Sequence, residues 1–293
     1  MAVFIADKYE STLIEVTGKR LADVKVGTFG SNSVPIYHFD SYNLLNQFIG
    51  YVKYQNRKCG NVYLRGQSDL YGAQKMIPSA LRGIDDEANR LKKSRSLIRK
   101  SAKQAPNLCE MPENVLYPLL QHYGIKTEWL DLVDNTWVSI WFALHKSSST
   151  IIGPHQHVDF FDTPDDRFGY IFLMLVDAQK EGLSGTYKGG NTLLTDLRKA
   201  APSIFLRPHA QHGLMVRKAK GPFMDYSDLV VGVAQIDVKQ GFERIGRKGM
   251  LSTHSLFPPA TYDHGFRLLL EQYDTTGKDA QFIDSYGSIQ IVT

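Results

Sequence analysis

The sequence contains little cysteine. Cys59 and Cys109 are its only two cysteines, and they form no CxxC pair. Two thiols at this spacing can build neither a disulfide framework nor a zinc finger. We therefore expect ordinary free thiols and a reduced, cytoplasmic setting.

Long apolar runs are also missing. No stretch approaches the roughly 18 apolar residues of a membrane-spanning helix, so we predict no membrane contact. The first ten residues (MAVFIADKYE) have no basic stretch followed by an apolar run, which predicts no secretory signal. The 293 residues are 43% hydrophobic and 22% charged, an ordinary globular composition without a break. We predict an N-terminal cap over residues 1–35 and one domain over residues 36–293.

The familiar catalytic motifs are absent as well. The sequence contains no GxGxxG, GxxxxGK[ST], GxSxG or HExxH, which removes the usual support for Rossmann, P-loop, hydrolase and zincin activities. His155 with His157, or His209 with His212, could lie near a metal, but no cysteine or carboxylate stands at ligand spacing. We predict no metal site.

Positive charge is concentrated in one segment, although the net charge is only +4. An acidic stretch over residues 85–87 precedes it, which suits the start of a helix. The segment has two interpretations: a solvated surface helix, or a contact surface for nucleic acid. Its seven basic residues are Arg90, Lys92, Lys93, Arg95, Arg99, Lys100 and Lys103.

Helical and strand patterns are mixed along the chain. Apolar residues at helical spacing predict helices over residues 40–54, capped by Asp40 or Ser41, and over residues 134–146, capped by Asp134 or Asn135. The continuous apolar run at 169–177 predicts a central strand, and the polar stretch at 147–168 predicts a loop or an excursion. We predict an α+β fold with a mixed or mostly antiparallel sheet core and surrounding helices.

Three sequence segments stand out together. In this order and spacing they resemble the FRG domain family over about residues 60–260, with departures at Glu128 and at Leu132-Val133, where the family usually has a basic residue and Trp-Thr. The segments are Tyr63-Leu64-Arg65-Gly66-Gln67-Ser68-Asp69 with Pro78-Ser79-Ala80-Leu81-Arg82, then Leu120-Gln121-His122-Tyr123-Gly124-Ile125-Lys126-Thr127-Glu128-Trp129-Leu130-Asp131, then Pro208-His209-Ala210-Gln211-His212-Gly213-Leu214 with Leu256-Phe257-Pro258-Pro259.

Arg65 is the first candidate functional residue. An arginine at a strand end, followed by glycine, presents a planar fork of donors beside backbone that a ligand can approach closely. Such a fork suits a diphosphate or a carboxylate. The alternative is a structural arginine paired with Asp131 or Asp69.

Further candidates lie where the second segment turns from a helix into a strand. Polar residues at such junctions commonly face ligands, although His122 and Tyr123 could equally form a core pair. Gln211 could orient a ribose hydroxyl or a nucleophile, or simply brace a turn. The predicted catalytic residues are Arg65, Asp131 and Gln211, and the predicted binding residues are Gln67, Ser68, Arg82, Gln121, His122, Tyr123 and Thr127.

A second resemblance is to the mono-ADP-ribosyltransferases. It rests on the strand with Arg65-Gly66, the strand with Thr127 and the helix with Trp141-Phe142-Ala143, and it implies that Arg65 holds NAD while Thr127 lines the nicotinamide pocket. The late glutamate of that family is missing two residues after Gln211, so Asp131 or Glu271 would supply the carboxylate. Together the resemblances imply an NAD-dependent ADP-ribosyltransferase-like enzyme of bacterial or phage conflict. The alternatives are a non-catalytic nucleotide or nucleic-acid binding module, using the basic helix over residues 90–103, and an interaction protein.

Overall fold

The computed structural model describes residues 21–71, 75–83, 86–102, 106–152 and 155–272. Most of the predicted cap and the side chain of Glu271 lie outside this description. The strands are β1 (Lys25–Phe29), β2 (Val34–Phe39), β3 (Asn61–Gln67), β4 (Leu130–Val133), β5 (His145–Ile152), β6 (His155–Asp162), β7 (Phe168–Val176), β8 (Lys180–Glu181), β9 (Thr186–Lys188), β10 (Thr192–Asp196), β11 (Gly213–Lys218) and β12 (Val230–Asp237).

Helices surround these strands. They are α1 (Tyr42–Asn56), α2 (Glu87–Ala102), α3 (Pro106–Cys109), α4 (Glu113–His122), α5 (Thr136–Leu144), α6 (Leu197–Ala200), α7 (Arg207–Ala210), α8 (Val238–Ile245), α9 (Thr253–Leu256) and α10 (His264–Gln272). Short 3₁₀ turns occur at Ala22–Val24, Ser79–Leu81 and Ser227–Leu229, and a π turn at Gly246–Met250. Within the described parts of the chain, no helix is long and apolar enough to cross a bilayer.

One mixed sheet organises the fold. Ten of the described strands follow the order β1-β2-β12-β7-β3-β4-β11-β10-β9-β8. The pair β2–β12 is parallel, whereas the other neighbours run antiparallel. The predicted α+β fold with a mixed, mostly antiparallel sheet is therefore confirmed.

Strand β7 lies in the middle of the sheet and is buried on both faces. Ile171 and Leu173 pack into the core beneath α1, α5 and α8, whereas Phe172 and Met174 pack into the core on the opposite face. Successive side chains of a strand point to opposite faces, so a strand covered on both sides reads as a continuous apolar run. The predicted central strand is confirmed.

The two predicted helices are also confirmed as α1 and α5. Ser41 precedes α1 without a side-chain cap, whereas the Asn135 side chain accepts hydrogen bonds from the backbone N–H groups of Trp137 (2.8 Å) and Val138 (3.2 Å). Such a bond satisfies donors that the first helical turn leaves unpaired. The Asn135 cap fixes the start of α5 at Thr136, two residues after the bend that follows β4.

Helix α5 packs unusually close to strand β3 because residue 66 is glycine. A Cβ atom there would lie 1.9 Å from the Ser139 carbonyl oxygen and 2.8 Å from the Ala143 nitrogen. Backbone of α5 therefore occupies the space that a side chain at this position would need. The prediction that this glycine lets a ligand approach the backbone stays a prediction.

Of the two alternatives for residues 147–168, a loop or an excursion, the loop is wrong over most of the length. Strands β5 and β6 form an antiparallel hairpin from the pair His145–Asp162 to the pair Ile152–His155. Among the described strands they pair only with each other. The hairpin packs on the body through side chains, with the Phe160 and Phe257 rings stacked at a centroid distance of 4.6 Å.

Candidate functional site

The three sequence segments meet at one cavity of about 240 Å³. Five of the predicted site residues line it: Arg65, Gln121, His122, Asp131 and Gln211. The polar side is completed by Arg207, and apolar side chains from β4, α5, the hairpin and the segment after α9 form the rest of the wall: Leu132, Val133, Phe142, Val158, Phe160 and Phe257. Residues as far apart in the chain as Arg65 and Phe257 therefore line the same cavity.

Arg65 and Asp131 come together because β3 and β4 are neighbours in the sheet, paired at Leu64 and Val133. The Nη1 group of Arg65 donates to the backbone oxygen of Asp131 at 2.7 Å and lies 3.9 Å from Oδ2 of its carboxylate. The Arg65 side chain is only 15% exposed. Its Nε has no hydrogen-bond partner among the described residues, so part of the donor fork stays unused.

The Asp131 side chain lines the cavity and is 40% exposed. Burial raises the pKa of Asp131, but the His122 contact, the Arg65 charge and the Gln121 amide together outweigh burial and hold the pKa below its ordinary value. Asp131 is therefore a carboxylate at neutral pH. A charge of this kind can stabilise a developing cation.

His122 ends α4 with its side chain almost fully buried. Its Nδ1 lies 3.5 Å from Oδ1 of Asp131, long for a hydrogen bond, and Nε2 has no partner within the described chain. The ring packs on Gly213, where a Cβ atom would come within 2.7 Å of Cε1. Glycine at this position thus lets the histidine ring lie between α4 and β11.

Gln121 acts as a brace at the same helix end. Its Oε1 accepts hydrogen bonds from the Thr127 backbone (2.8 Å), the Thr127 hydroxyl (3.0 Å) and the Ser79 hydroxyl (3.0 Å), and its Nε2 lies 3.5 Å from Oδ2 of Asp131. Gly124 follows with a φ of +100°, the conformation expected of a glycine after a helix end. Gln121 therefore joins the first and second segments and touches the cavity with one amide group.

Several predicted binding residues stand apart from the cavity lining. Thr127 is buried against Gln121, Gln67 contacts the Met76 sulfur at 3.5 Å, and Ser68 is bonded to the Tyr71 hydroxyl at 2.9 Å. Arg82 is exposed and donates to the Ile77 carbonyl oxygen, and its charge lowers the pKa of Arg65, after the larger effect of burial. Arg82 is thus near enough to Arg65 for their charges to interact.

Tyr123 is a core residue. Its ring packs against Phe205 and Phe266, and its hydroxyl donates to the buried Asp263 carboxylate. Desolvation by burial raises its pKa far above the ordinary range, so the hydroxyl stays protonated. Of the two interpretations of Tyr123, the geometry favours the structural one.

Gln211 and Arg207 enter the cavity from the third segment. The Gln211 Nε2 donates to the Leu256 carbonyl oxygen at 2.8 Å, and the residue is 5% exposed. Arg207 is 1% exposed and was not among the predicted site residues. The only sequence signal for Arg207 is its position directly before the Pro208-His209-Ala210-Gln211 segment.

The basic helix, α2, is tied to the body by two of its arginines. Arg95 pairs with the buried Glu128 carboxylate, and Arg99 pairs with Glu113. Lys92 and Lys93 are exposed. The cationic surface that the described side chains offer to a polyanion is accordingly smaller than the sequence suggests.

In two larger clefts, a central charged residue is already bonded. In one, of about 560 Å³, the Asp177 carboxylate accepts hydrogen bonds from Asn191 and Thr192. In the other, of about 460 Å³, Arg198 is paired with Asp196 and Asp134. Among the described residues, no group of His, Cys, Asp and Glu is arranged to hold a metal ion. The smaller cavity alone combines predicted site residues with unpartnered buried donors in the described chain.

Comparison with known proteins gives one match. The family model of the FRG domain matches residues 60–150. Residues 60–150 are thus similar to the FRG domain. No curated protein and no solved structure matches the chain. The resemblance is confirmed for residues 60–150, whereas its predicted extension to residue 260 stays a prediction.

The segment that matches the family model supplies part of the cavity. Arg65, Gln121, His122 and Asp131 lie within the matched residues, whereas Arg207 and Gln211 lie outside them. The departures from the family pattern now have a physical context. Glu128 is enclosed by Arg95 and Arg217, and Leu132-Val133 forms apolar cavity wall.

Proposed function

We propose that the protein binds NAD in this cavity and acts as an ADP-ribosyltransferase-like enzyme. The observation that carries the proposal is the meeting of Arg65, Asp131 and Gln211 in one cavity with an ionised carboxylate and an incompletely used guanidinium. A guanidinium fork suits a diphosphate, and an ionised carboxylate suits a sugar carbon that becomes positive.

Arg65 is the residue that would hold the diphosphate. Its Nη1 is fixed by the Asp131 backbone oxygen, which orients the guanidinium plane, while Nε has no partner in the described chain. Nε is therefore an unused donor, and because it is covered in this structure, a diphosphate oxygen could reach it only after the covering atoms move. Lysine has no such planar fork of donors.

Asp131 would act at the bond between the ribose and nicotinamide. This bond breaks with both electrons passing to the pyridinium nitrogen, so that nicotinamide leaves as a neutral molecule and the anomeric carbon becomes oxocarbenium-like. The Asp131 carboxylate would stabilise that positive charge. The acceptor, or water, then adds to the carbon through its nucleophilic atom and loses a proton.

The cavity volume limits which part of NAD is enclosed. Ligand pockets commonly measure about 300–1,000 Å³, and this one measures about 240 Å³. We expect one end of the dinucleotide inside and the remainder across the opening, where Asp131 is 40% exposed. The acceptor, the cytoplasmic location and the role in bacterial or phage conflict stay predictions.

The test is nicotinamide release from NAD by the purified protein, measured by chromatography, with Asp131→Asn as the variant. We expect release by the wild type and a loss of roughly 100-fold or more in the variant, the magnitude typical of removing one electrostatic contact at a reacting centre. Asp134→Asn, outside the cavity lining, is the matched control and should keep the wild-type rate. A folded wild type that gives neither nicotinamide nor calorimetric heat with millimolar NAD would contradict the proposal.

A second candidate is a nucleic-acid binding module that uses α2. The observation in its favour is the exposure of Lys92 and Lys93 on that helix. Since Arg95 and Arg99 are engaged by carboxylates, we rank this candidate below NAD binding.

A further inference from the structure

Arg207 is a buried cation without an ion pair. It is 1% exposed, and among the described residues no carboxylate oxygen lies within 4.0 Å of its guanidinium nitrogens. Burying a permanently charged group without a partner is costly. The missing partner is therefore to be sought outside the part of the chain that the structure describes, and a ligand in the adjoining cavity is the simplest source.

The surroundings of Arg207 hold its cation in place without neutralising it. Its Cζ lies 4.5 Å from the Tyr123 ring centroid, 4.7 Å from that of Phe266 and 5.3 Å from that of Phe257. Aromatic faces attract cations but carry no net charge. The Nη1 group donates to the His122 carbonyl oxygen at 3.3 Å, whereas Nε and Nη2 have no hydrogen-bond partner in the described chain.

The nearest candidate counter-ion, Asp263, is occupied elsewhere. Its Oδ2 accepts from the Tyr123 hydroxyl and from the Arg207 backbone N–H at 3.1 Å, and its Oδ1 accepts from the Phe266 backbone N–H at 2.9 Å. Burial lowers the pKa of Arg207, and the Asp263 charge offsets that effect only in part. Asp263 thus accepts hydrogen bonds from backbone N–H groups and forms none with the guanidinium of Arg207.

The charges of the cavity lining point the same way. Two guanidinium groups, Arg65 and Arg207, face one carboxylate, Asp131. Arg65 is within 3.9 Å of that carboxylate, so the surplus positive charge belongs to Arg207. We propose that Arg207 is a phosphate-binding residue, the second arginine of the site, and that it recognises an oxyanion of a diphosphate.

The assignment rests on the proposed function to the extent that both use this cavity. It adds a residue that the sequence segments did not single out, and it states which group carries the unbalanced charge. Nε and Nη2 are covered in this structure, so a phosphate can reach them only if the covering atoms move. Phe257 is the one of the three rings that also lines the cavity.

The experiment uses inorganic pyrophosphate as the probe, with calorimetry for affinity and thermal unfolding for stability. We expect the wild type to bind pyrophosphate and to melt at a higher temperature in its presence. Arg207→Met should weaken binding by about tenfold or more, because a hydrogen bond to a charged group is lost. Its melting temperature without ligand should equal or exceed that of the wild type, since an unpaired buried charge is removed.

Two further variants keep the test decisive. Arg198→Met removes an arginine that is paired with Asp196 and Asp134 outside this cavity, and should keep wild-type affinity for pyrophosphate. Arg207→Lys retains the charge without the fork and should also bind more weakly than the wild type; it carries the test if the methionine variant does not fold.

Each outcome separates the two proposals. No pyrophosphate binding by the wild type, or equal affinity in the wild type and the Arg207 variants, overturns the assignment of Arg207. So does a lower melting temperature with unchanged affinity, which is the signature of a purely packed arginine. Pyrophosphate binding that depends on Arg207, without nicotinamide release from NAD, supports the assignment and contradicts the proposed enzyme activity.

Discussion

Two carboxylates three residues apart, Glu128 and Asp131, have opposite environments. The Glu128 side chain is 2% exposed and is held by Arg95 and by Arg217, the latter at 3.1 Å. The Asp131 side chain is 40% exposed and has one arginine, 3.9 Å from its Oδ2. Glu128 is a satisfied internal ion, whereas Asp131 and its neighbours retain unused donors and acceptors beside a cavity. The difference separates a charge cluster that stabilises the fold from one suited to binding.

The largest expected effect is on stability and concerns Glu128. Glu128→Gln would leave Arg95 and Arg217 without their buried carboxylate, and we expect a loss of about 3–5 kcal/mol in the free energy of unfolding. Chemical denaturation measures this loss. The control is Glu113→Gln, because the Glu113–Arg99 pair is more than half exposed on both sides and should cost less than about 1 kcal/mol. Equal losses in both variants would remove the distinction between the clusters.

The next effect separates binding from stability at Arg65. Arg65→Ala should remove most NAD binding in calorimetry while shifting the melting temperature by only a few degrees, because Asp131 stays partly solvated at the cavity. Arg65→Lys should restore little binding, since lysine lacks the bidentate fork. Arg95→Lys, in the satisfied cluster, serves as the comparison and should keep NAD affinity. Unfolding of Arg65→Ala would instead class Arg65 with the structural arginines.

The smallest expected effect concerns the exposed face of α2. Reversing the charge of Lys92 and Lys93 should leave stability and NAD binding unchanged, because both side chains are exposed. If α2 contacts duplex DNA, the reversal should weaken binding, and the log–log salt dependence of the wild type should have a slope of about 0.9 per neutralised phosphate. An electrophoretic mobility assay at several salt concentrations measures both. Undetectable binding by the wild type at low salt would leave α2 as a solvated face.

The sequence was sufficient where a local pattern controls the structure. Helix α5 follows from its apolar spacing and Asn135 cap, and strand β7 from its apolar run, because each pattern is dictated by burial on known faces. The adjacency of Arg65 and Asp131 was one of the alternatives drawn for Arg65, and the structure places them on neighbouring strands.

Other features had no such pattern in the sequence. The β5–β6 hairpin was interpreted as a loop because its polar residues resemble a solvent-exposed turn, and the pairing between its strands has no local signal. Arg207 was overlooked because its lack of a counter-ion is visible only once the chain is folded. No partner was predicted for Glu128, because Arg217, which binds its carboxylate, lies 89 residues away in the chain.

The independence of the β5–β6 hairpin has a mechanical consequence. The floor of the cavity belongs to the main sheet, whereas Val158 and Phe160 in its wall belong to a hairpin whose described strands share no backbone ladder with that sheet. A movement of the hairpin would break side-chain contacts such as Phe160–Phe257 but would leave the hydrogen bonds of the main sheet intact. The shape of the cavity can therefore be changed, in evolution or in the laboratory, by substitutions in this one hairpin.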